Sequence, residues 1–453
     1  MFSRFCLVSL LTFVVSITAH AEIFIANLSG EQEVPPSGAS ATGYARIVLD
    51  EGAGTISFTV VFSGLTSSQT GSHIHGPAAR GVNAAVAINL GAIGGTAGTI
   101  TGSSPITPTQ VQQLRAQQMY VNVHSTNFPG GEIRGQLGIA RPVDYDGDGR
   151  MDLSVLRFPT GTPAPITWWN RNTTSGDQVI GPFGDANSDF PAPGDYDGDG
   201  RTDLALYRAG ATVGAQSIFY ILRSSDSTFA AIGFGLNGDQ VIARDYDGDG
   251  KTDPAVYRRG ATADAQAVWW IRQSTTNTDF VISWGLTGNG TTIFDTPVPG
   301  DYDGDGKFDI AIYRFGSSPA NNFIIRRSSN GTVQFQPWGN FNTDYIVPGD
   351  YDGDGKFDFA AARTGATGSS PLVWWILQSS NSASRTHTFG ISSDLPVQGD
   401  YDGDARTDLA VYRRGATVGS QSTFWVFNSL SGTGQPRPWG VQADFPVATF
   451  DAR

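Results

Sequence analysis

The chain has 453 residues, with 42 acidic against 29 basic side chains and a formal net charge of −13. So acidic a balance excludes a nucleic-acid binder, because phosphates require a basic surface, and the single cysteine, Cys6, excludes a disulfide framework. Beyond the N-terminus no apolar run approaches the roughly 20 residues that a membrane-spanning helix needs, so no membrane span is expected.

Residues 1–21 read as a secretory signal peptide. Arg4 supplies the positive end, Phe5 to Ile17 the apolar core, and Ala19-His20-Ala21 a small-residue cleavage site. The expectation is a secreted or cell-surface protein whose mature chain starts near Glu22 and holds neither thiol nor disulfide.

Residues 22–140 form a first domain. Apolar residues alternate along Ala45 to Leu49 and Ile56 to Phe62, the period of a half-buried strand. Val111 to Gln118, preceded by Pro108 and Thr109, is the one helix expected. His73 and His75 are two apart on a strand and so share a face, and His124 lies on a second alternating segment that could pair beside them. Three imidazoles meeting in this way suit zinc or copper. The alternative is that each histidine hydrogen-bonds a neighbouring backbone group or Glu132 and holds loops in place.

The runs Leu28-Ser29-Gly30, Glu33-Val34-Pro35, His73-Ile74-His75-Gly76-Pro77, Tyr120-Val121-Asn122-Val123-His124 and Gly131-Glu132-Ile133-Arg134-Gly135-Gln136-Leu137 resemble the CHRD domain, first recognised in chordin. That resemblance covers residues 23–138 and implies a β-sandwich-like domain of extracellular binding proteins.

A change in composition marks a boundary near residue 140: all five glutamates precede it, whereas 36 of 37 aspartates follow it. Residues 141–453 carry six copies of Asp-x-Asp-x-Asp-x-x-x-Asp, starting at Asp144, Asp195, Asp245, Asp301, Asp350 and Asp400. The starts lie 51, 50, 56, 49 and 50 residues apart, a period that signals stacked supersecondary units. Four carboxylates within nine residues repel one another unless a cation sits among them. Calcium, which takes 6 to 8 oxygen ligands, is the expected occupant, about six ions per chain.

The ligands expected are Asp144, Asp146, Asp148 and Asp152 with the carbonyl of Arg150; Asp195, Asp197, Asp199 and Asp203 with Arg201; and Asp245, Asp247, Asp249 and Asp253 with Lys251. The next sets are Asp301, Asp303, Asp305 and Asp309 with Lys307; Asp350, Asp352, Asp354 and Asp358 with Lys356; and Asp400, Asp402, Asp404 and Asp408 with Arg406. Ala405 replaces a glycine in the sixth copy, which is expected to be the weakest. The pattern starts like an EF-hand, but Val155 stands where the position-12 carboxylate would be, and the following residues alternate like a strand. A hairpin loop is therefore expected.

Each loop runs into a strand ending in arginine (Arg157, Arg208, Arg258, Arg314, Arg363, Arg413). An aromatic or aliphatic pair follows, such as Trp168-Trp169, then a strand ending in an aromatic-glycine pair, such as Phe183-Gly184, and then a strand leading into the next loop. The arginines are expected to bridge neighbouring blades or bind loop carboxylates. One ring of each aromatic pair is expected in the core, the other at a seam or exposed. Four strands per repeat around a ring is a β-propeller, of six blades with Phe445 to Phe450 closing the first; seven is the alternative. These loop aspartates and aromatic-glycine pairs resemble FG-GAP or VCBS-type repeats of integrin-like propellers, which implies calcium-braced blades and adhesion or ligand recognition.

The fold class expected is thus all-β, a β-sandwich-like domain followed by a propeller. The functional reading is a secreted calcium-binding adhesion or recognition protein whose partner is an extracellular protein or glycan. The alternatives are an extracellular enzyme acting on glycans through a carboxylate pair, or metal chemistry at the histidines. No nucleophile elbow and no His-Glu-x-x-His stands in the sequence, so an enzyme is not the favoured reading.

Overall fold

The computed structural model describes residues 21–50, 52–78, 81–115, 118–139, 143–158, 164–172, 176–248, 250–262, 264–288, 293–316, 322–340, 343–404 and 406–447. The secretory signal, apart from Ala21, lies outside the described residues, as do Asp249 and Ala405.

The N-terminal domain is built from β1 (Ala21–Ser29), β2 (Thr42–Asp50), β3 (Thr55–Ser63), β4 (Gln69–His75), β5 (Val86–Gly91), β6 (Gly98–Pro105), α1 (Pro108–Arg115), β7 (Tyr120–Ser125), β8 (Ile133–Gln136) and β9 (Gly138–Ile139). The strands hydrogen-bond in the order β5-β4-β7-β8-β1-β2-β3-β6, with β9 on β1. The layers expected of a sandwich are thus joined in one continuous sheet, wrapped around a core that includes Phe24, Ile47, Val60, Ile74, Val121 and Leu114. Alternation dictates this: along β2 the buried positions are Ala45, Ile47 and Leu49.

The helix starts three residues earlier than Val111. Thr107 caps it, because the Gln110 side chain accepts the Thr107 N–H at 2.9 Å while Thr107 Oγ1 accepts the Gln110 N–H at 3.3 Å. That reciprocal pair is a capping box, and Pro108 fills the first helical position, where no N–H is needed.

The C-terminal region is a six-bladed propeller, each blade a four-stranded antiparallel sheet. Blade 2 is typical, with strands Asp189–Pro191, Leu204–Arg208, Gln216–Leu222 and Phe229–Leu236 in sequential order. Its second strand is buried on both faces, whereas its outer strand is exposed at alternate residues. The strand that leads into each aspartate loop therefore belongs to the blade that follows it.

Blade 1 is assembled from both ends of the region. Leu153–Arg157, Thr167–Asn172 and Gly176–Ile180 are joined by Phe445–Pro446, with Val155 opposite Pro446 and Leu156 opposite Phe445. The six-blade expectation holds, as does closure through Phe445 and Pro446; residues 448–450 of the expected closing segment lie outside the described residues. A shared core packs the closure, with Val155 and Trp168 of blade 1, Leu206 of blade 2, and Tyr412, Phe424 and Val426 of blade 6. Ile139, just ahead of the first aspartate loop, pairs with Phe24 on β1.

Candidate metal centres

The second aspartate loop shows how the sequence dictates its geometry. Asp195 Oδ1 accepts the N–H of Gly198 at 2.6 Å and of Asp199 at 3.2 Å, and Oδ2 accepts that of Gly200 at 2.8 Å. The first aspartate thereby folds the loop around its own carboxylate. Asp203 Oδ2 accepts the Tyr196 N–H at 2.9 Å, which closes the loop, and Oδ1 accepts the Ser224 N–H at 2.7 Å. Ser224 and Ser225, in the turn before the outer strand, donate their hydroxyls to Asp199 and Asp197 at 2.9 and 2.6 Å. Corresponding bonds hold Asp301, Asp303, Asp305 and Asp309 in loop 4.

These bonds bring the carboxylates together. Asp144, Asp146 and Asp152 each offer an oxygen within 4.8 Å of the others, as do Asp195, Asp197 and Asp199; Asp245, Asp247 and Asp253; and Asp301, Asp303 and Asp309. Burial, with crowding by neighbouring aspartates, raises the pKa of several loop carboxylates. Burial first and then the Asp352 carboxylate push Asp358 up to about 8. Burial, against opposing backbone hydrogen bonds, takes Asp195 to about 7. Asp144 and Asp301 are held well above the usual carboxylate range, first by burial and also by neighbouring aspartates.

The donor set fits calcium. The groups are hard oxygens alone, and the buried Oδ1 atoms of Asp247, Asp303 and Asp352 accept no hydrogen bond. A bound divalent cation would neutralise the mutual repulsion and satisfy such oxygens.

The loops are not independent, a relationship absent from the sequence reading. The N–H of the eighth residue of each loop donates to the carbonyl of the first aspartate of the preceding loop. Thr202 donates to Asp144, Thr252 to Asp195, Phe308 to Asp245, Phe357 to Asp301, Thr407 to Asp350 and Met151 to Asp400, all at 2.6–2.8 Å. The last bond closes the circle. Position 7 adds to the contact, since a Cβ on Gly147 would lie 2.6 Å from Arg201 Cγ of the next loop. The six loops form one belt on one face of the propeller.

The histidines also converge. In the pairing of β4 with β7, His73 faces Asn122, His75 faces Tyr120 and His124 faces Gly71. Gly71 leaves room for the His73 ring, whose Cε1 would lie 3.2 Å from a Cβ there. His73 Nδ1 and His124 Nε2 are 3.0 Å apart, and the ligand nitrogens of all three residues lie within 4.8 Å of one another. His75 Nδ1 and His124 Nδ1 bond the carbonyls of Ala84 and Pro129, each at 3.0 Å. Burial, the largest cause for each, holds all three below the ordinary imidazole pKa. Glu132 instead accepts the Thr66 N–H at 2.6 Å and the Ser125 hydroxyl, so the alternative role for the histidines keeps its backbone partners but not this carboxylate.

Residues 24–137 match the CHRD domain model. Residues 144–206, the first loop through the second strand of blade 2, match the FG-GAP-like repeat model. A search of curated proteins finds no match to the chain. The three histidines thus fall inside the CHRD-like domain, and the belt begins in the FG-GAP-like repeat.

The arginines after the loops require a correction. Among the described residues they bind no loop carboxylate, and they bridge neighbouring blades only through a partner aspartate. Each makes a two-pronged ion pair with an aspartate on or next to the first strand of its own blade: Arg208 with Asp189, Arg258 with Asp239, Arg314 with Asp295, Arg363 with Asp344, Arg413 with Asp394 and Arg157 with Asp444. The same aspartate accepts an N–H at or just beyond the end of the previous blade, as Asp239 Oδ2 does from Leu236 at 2.8 Å. One carboxylate therefore ties two blades. The visible signal is a constant offset of 19 residues between aspartate and arginine in blades 2–6.

The first ring of each aromatic pair is core, with Trp168, Trp269 and Trp374 fully buried. The second lies under the latch arginine, Arg157 over Trp169 at 4.2 Å and Arg413 over Trp425 at 5.3 Å. The aromatic-glycine pair has its own cause. At Gly235 φ is 76°, and a Cβ would lie 2.5 Å from the Tyr207 hydroxyl, which donates to the Leu236 carbonyl at 2.9 Å. His387 packs on Phe427 at 4.3 Å and is half-buried.

Proposed function

We propose that this chain is a secreted calcium-binding adhesion or ligand-recognition protein whose propeller is a calcium-braced platform. The observation that carries the reading is the closed belt of six aspartate loops, in which each loop's first carboxylate residue is bonded through its carbonyl to the next blade. Ions held there would fix the blades relative to one another, and so fix the opposite face. That face includes the turns that follow Arg208 and Arg413, where Val213 and Val418 stand 90% and 85% exposed. Apolar tips on a rigid rim suit contact with an extracellular protein or glycan. The FG-GAP-like match and the propeller support a ligand-binding module.

The test is to present the calcium-loaded full chain to a glycan array and to a panel of extracellular matrix proteins, with a chelator arm. Saturable binding that chelation abolishes is expected. Binding unaffected by chelation overturns the calcium-braced platform, and turnover of a glycan by the same preparation would move the protein to the enzyme class.

A further inference from the structure

We propose that His73, His75 and His124 form a site for one transition-metal ion, copper(II) or zinc(II), with His75 and His124 binding through Nε2 and His73 through Nδ1. This inference is independent of the calcium belt.

The assignment of nitrogens follows from the hydrogen bonds. Nδ1–H of His75 donates to the Ala84 carbonyl and Nδ1–H of His124 to the Pro129 carbonyl, so in the neutral rings both Nε2 atoms carry lone pairs. Carbonyls behind two imidazoles, fixing tautomer and ring rotation, are the usual support of a histidine metal ligand. His75 Nε2 is buried without a hydrogen-bond partner, in a residue only 8% exposed. His124 Nε2 meets His73 Nδ1 at 3.0 Å, where one ring must donate. A metal ion replaces that shared proton, which moves to His73 Nε2, and all three ligands stay neutral.

The site is held rigidly on one side and adjustably on the other. The His75 ring stacks on Tyr120 with an interplanar angle of 5°, and the Arg134 guanidinium lies 3.4 Å from the centre of the Tyr120 ring. His73 is half-buried beside Gly71. Ligand atoms within 4.8 Å need a small rotation of His73 to reach the nitrogen separations of about 3.3 Å that metal–nitrogen bonds of about 2.0–2.1 Å require. Imidazole donors without thiolate or carboxylate suit copper(II) and zinc(II), copper being the tighter by the Irving–Williams order.

The experiment uses the full chain saturated with calcium in every arm, so that the aspartate loops are filled. Copper(II) or zinc(II) is added, free metal is removed, bound metal is counted by mass spectrometry, and copper is examined by electron paramagnetic resonance. About one ion per chain is expected, with nitrogen hyperfine structure from imidazole. His73→Gln and His124→Gln should each weaken binding at least 100-fold while leaving the calcium content unchanged. If a variant misfolds, the nitrogen signature and stoichiometry of the wild type decide alone. No retained ion in the wild type, a copper spectrum without nitrogen coupling, or undiminished binding in a folded variant lacking all three histidines overturns the proposal.

Discussion

Arg157 and Asp444, 287 residues apart in the chain, meet in a two-pronged ion pair of 2.8 and 2.9 Å that closes the propeller. The Asp444 carboxylate is fully buried and also accepts the Val441 N–H at 2.8 Å, so it joins blade 6 to blade 1 as its five counterparts join the other blades. Its partner comes from the opposite end of the region.

Asp444→Ala should cost about 2–4 kcal/mol, below the full value of a buried pair because Arg157 is 35% exposed. Asp239→Ala removes the same pair without touching the closure. Denaturant melts should show both variants destabilised, with a broadened transition for Asp444→Ala alone. Deleting residues 443–453 should go further and produce aggregation, since it leaves the Val155 and Leu156 strand as an open edge. A truncated chain that stays monomeric and melts like the intact one would show that closure does not rest on this strand.

Calcium removal should lower the melting temperature of the full chain, because the cation offsets repulsion among buried carboxylates. Individual affinities should fall on the order of 10⁻⁴ to 10⁻³ M, as in extracellular modules. Asp303→Ala should abolish one of about six ions and, through the Asp301–Phe357 backbone bond, weaken the neighbouring loop as well. Calorimetric titration reads both effects. Unchanged melting after chelation would remove calcium from the account of stability.

Ala405→Gly should strengthen the sixth loop. The corresponding glycines 149, 200, 250, 306 and 355 all have φ between 82° and 85°, a conformation that costs an alanine roughly 1–2 kcal/mol. A gain of about tenfold in calcium affinity at that loop is expected from titration of the variant.

Glu33 gives the CHRD-like domain a pH dependence. Burial pushes its pKa from 4.5 up to about 7, against the opposing charge of Arg134. A folded-state value above the unfolded one means stability that is full below about pH 4.5 and lost as pH rises through about 7. Glu33→Gln, which imitates the protonated acid, should therefore be near neutral at pH 4.5 and stabilising at pH 8, by at most about 3 kcal/mol. Melts of the two proteins at both pH values check the sign.

The secretory reading makes a separate prediction: protein recovered from outside the cell should begin near Glu22 on N-terminal sequencing. An exported chain that still carries Arg4 would contradict it.

The aspartate loops were legible because everything that shapes them lies within nine residues and repeats. The alternation of Ile56 to Phe62 and the closure by Phe445 were legible for a similar reason, period and strand number. The latch aspartates escaped because Asp239 and Arg258 meet across a hairpin whose tip is the metal loop, so their offset is periodic but their contact is not local. The bond from Met151 to Asp400 is carried by backbone groups and leaves no trace in side-chain identity. The shared face of His73 and His75 followed from strand period and the nearness of His124 from the CHRD resemblance, whereas the carbonyls of Ala84 and Pro129 that orient the rings come from the loops between strands.

The chain's repeats and its blades are out of phase by one strand, and this bears on how such a ring changes size in evolution. Each latch joins an aspartate contributed by one repeat to an arginine contributed by the next. A tandem duplication of any stretch of one period, 49 to 56 residues here, therefore copies one complete aspartate–arginine pair and one complete loop, wherever its breakpoints fall. The two ends of the array stay complementary whatever the copy number. Ring size is then limited by the curvature that adjacent blades tolerate, not by the chemistry of the seam.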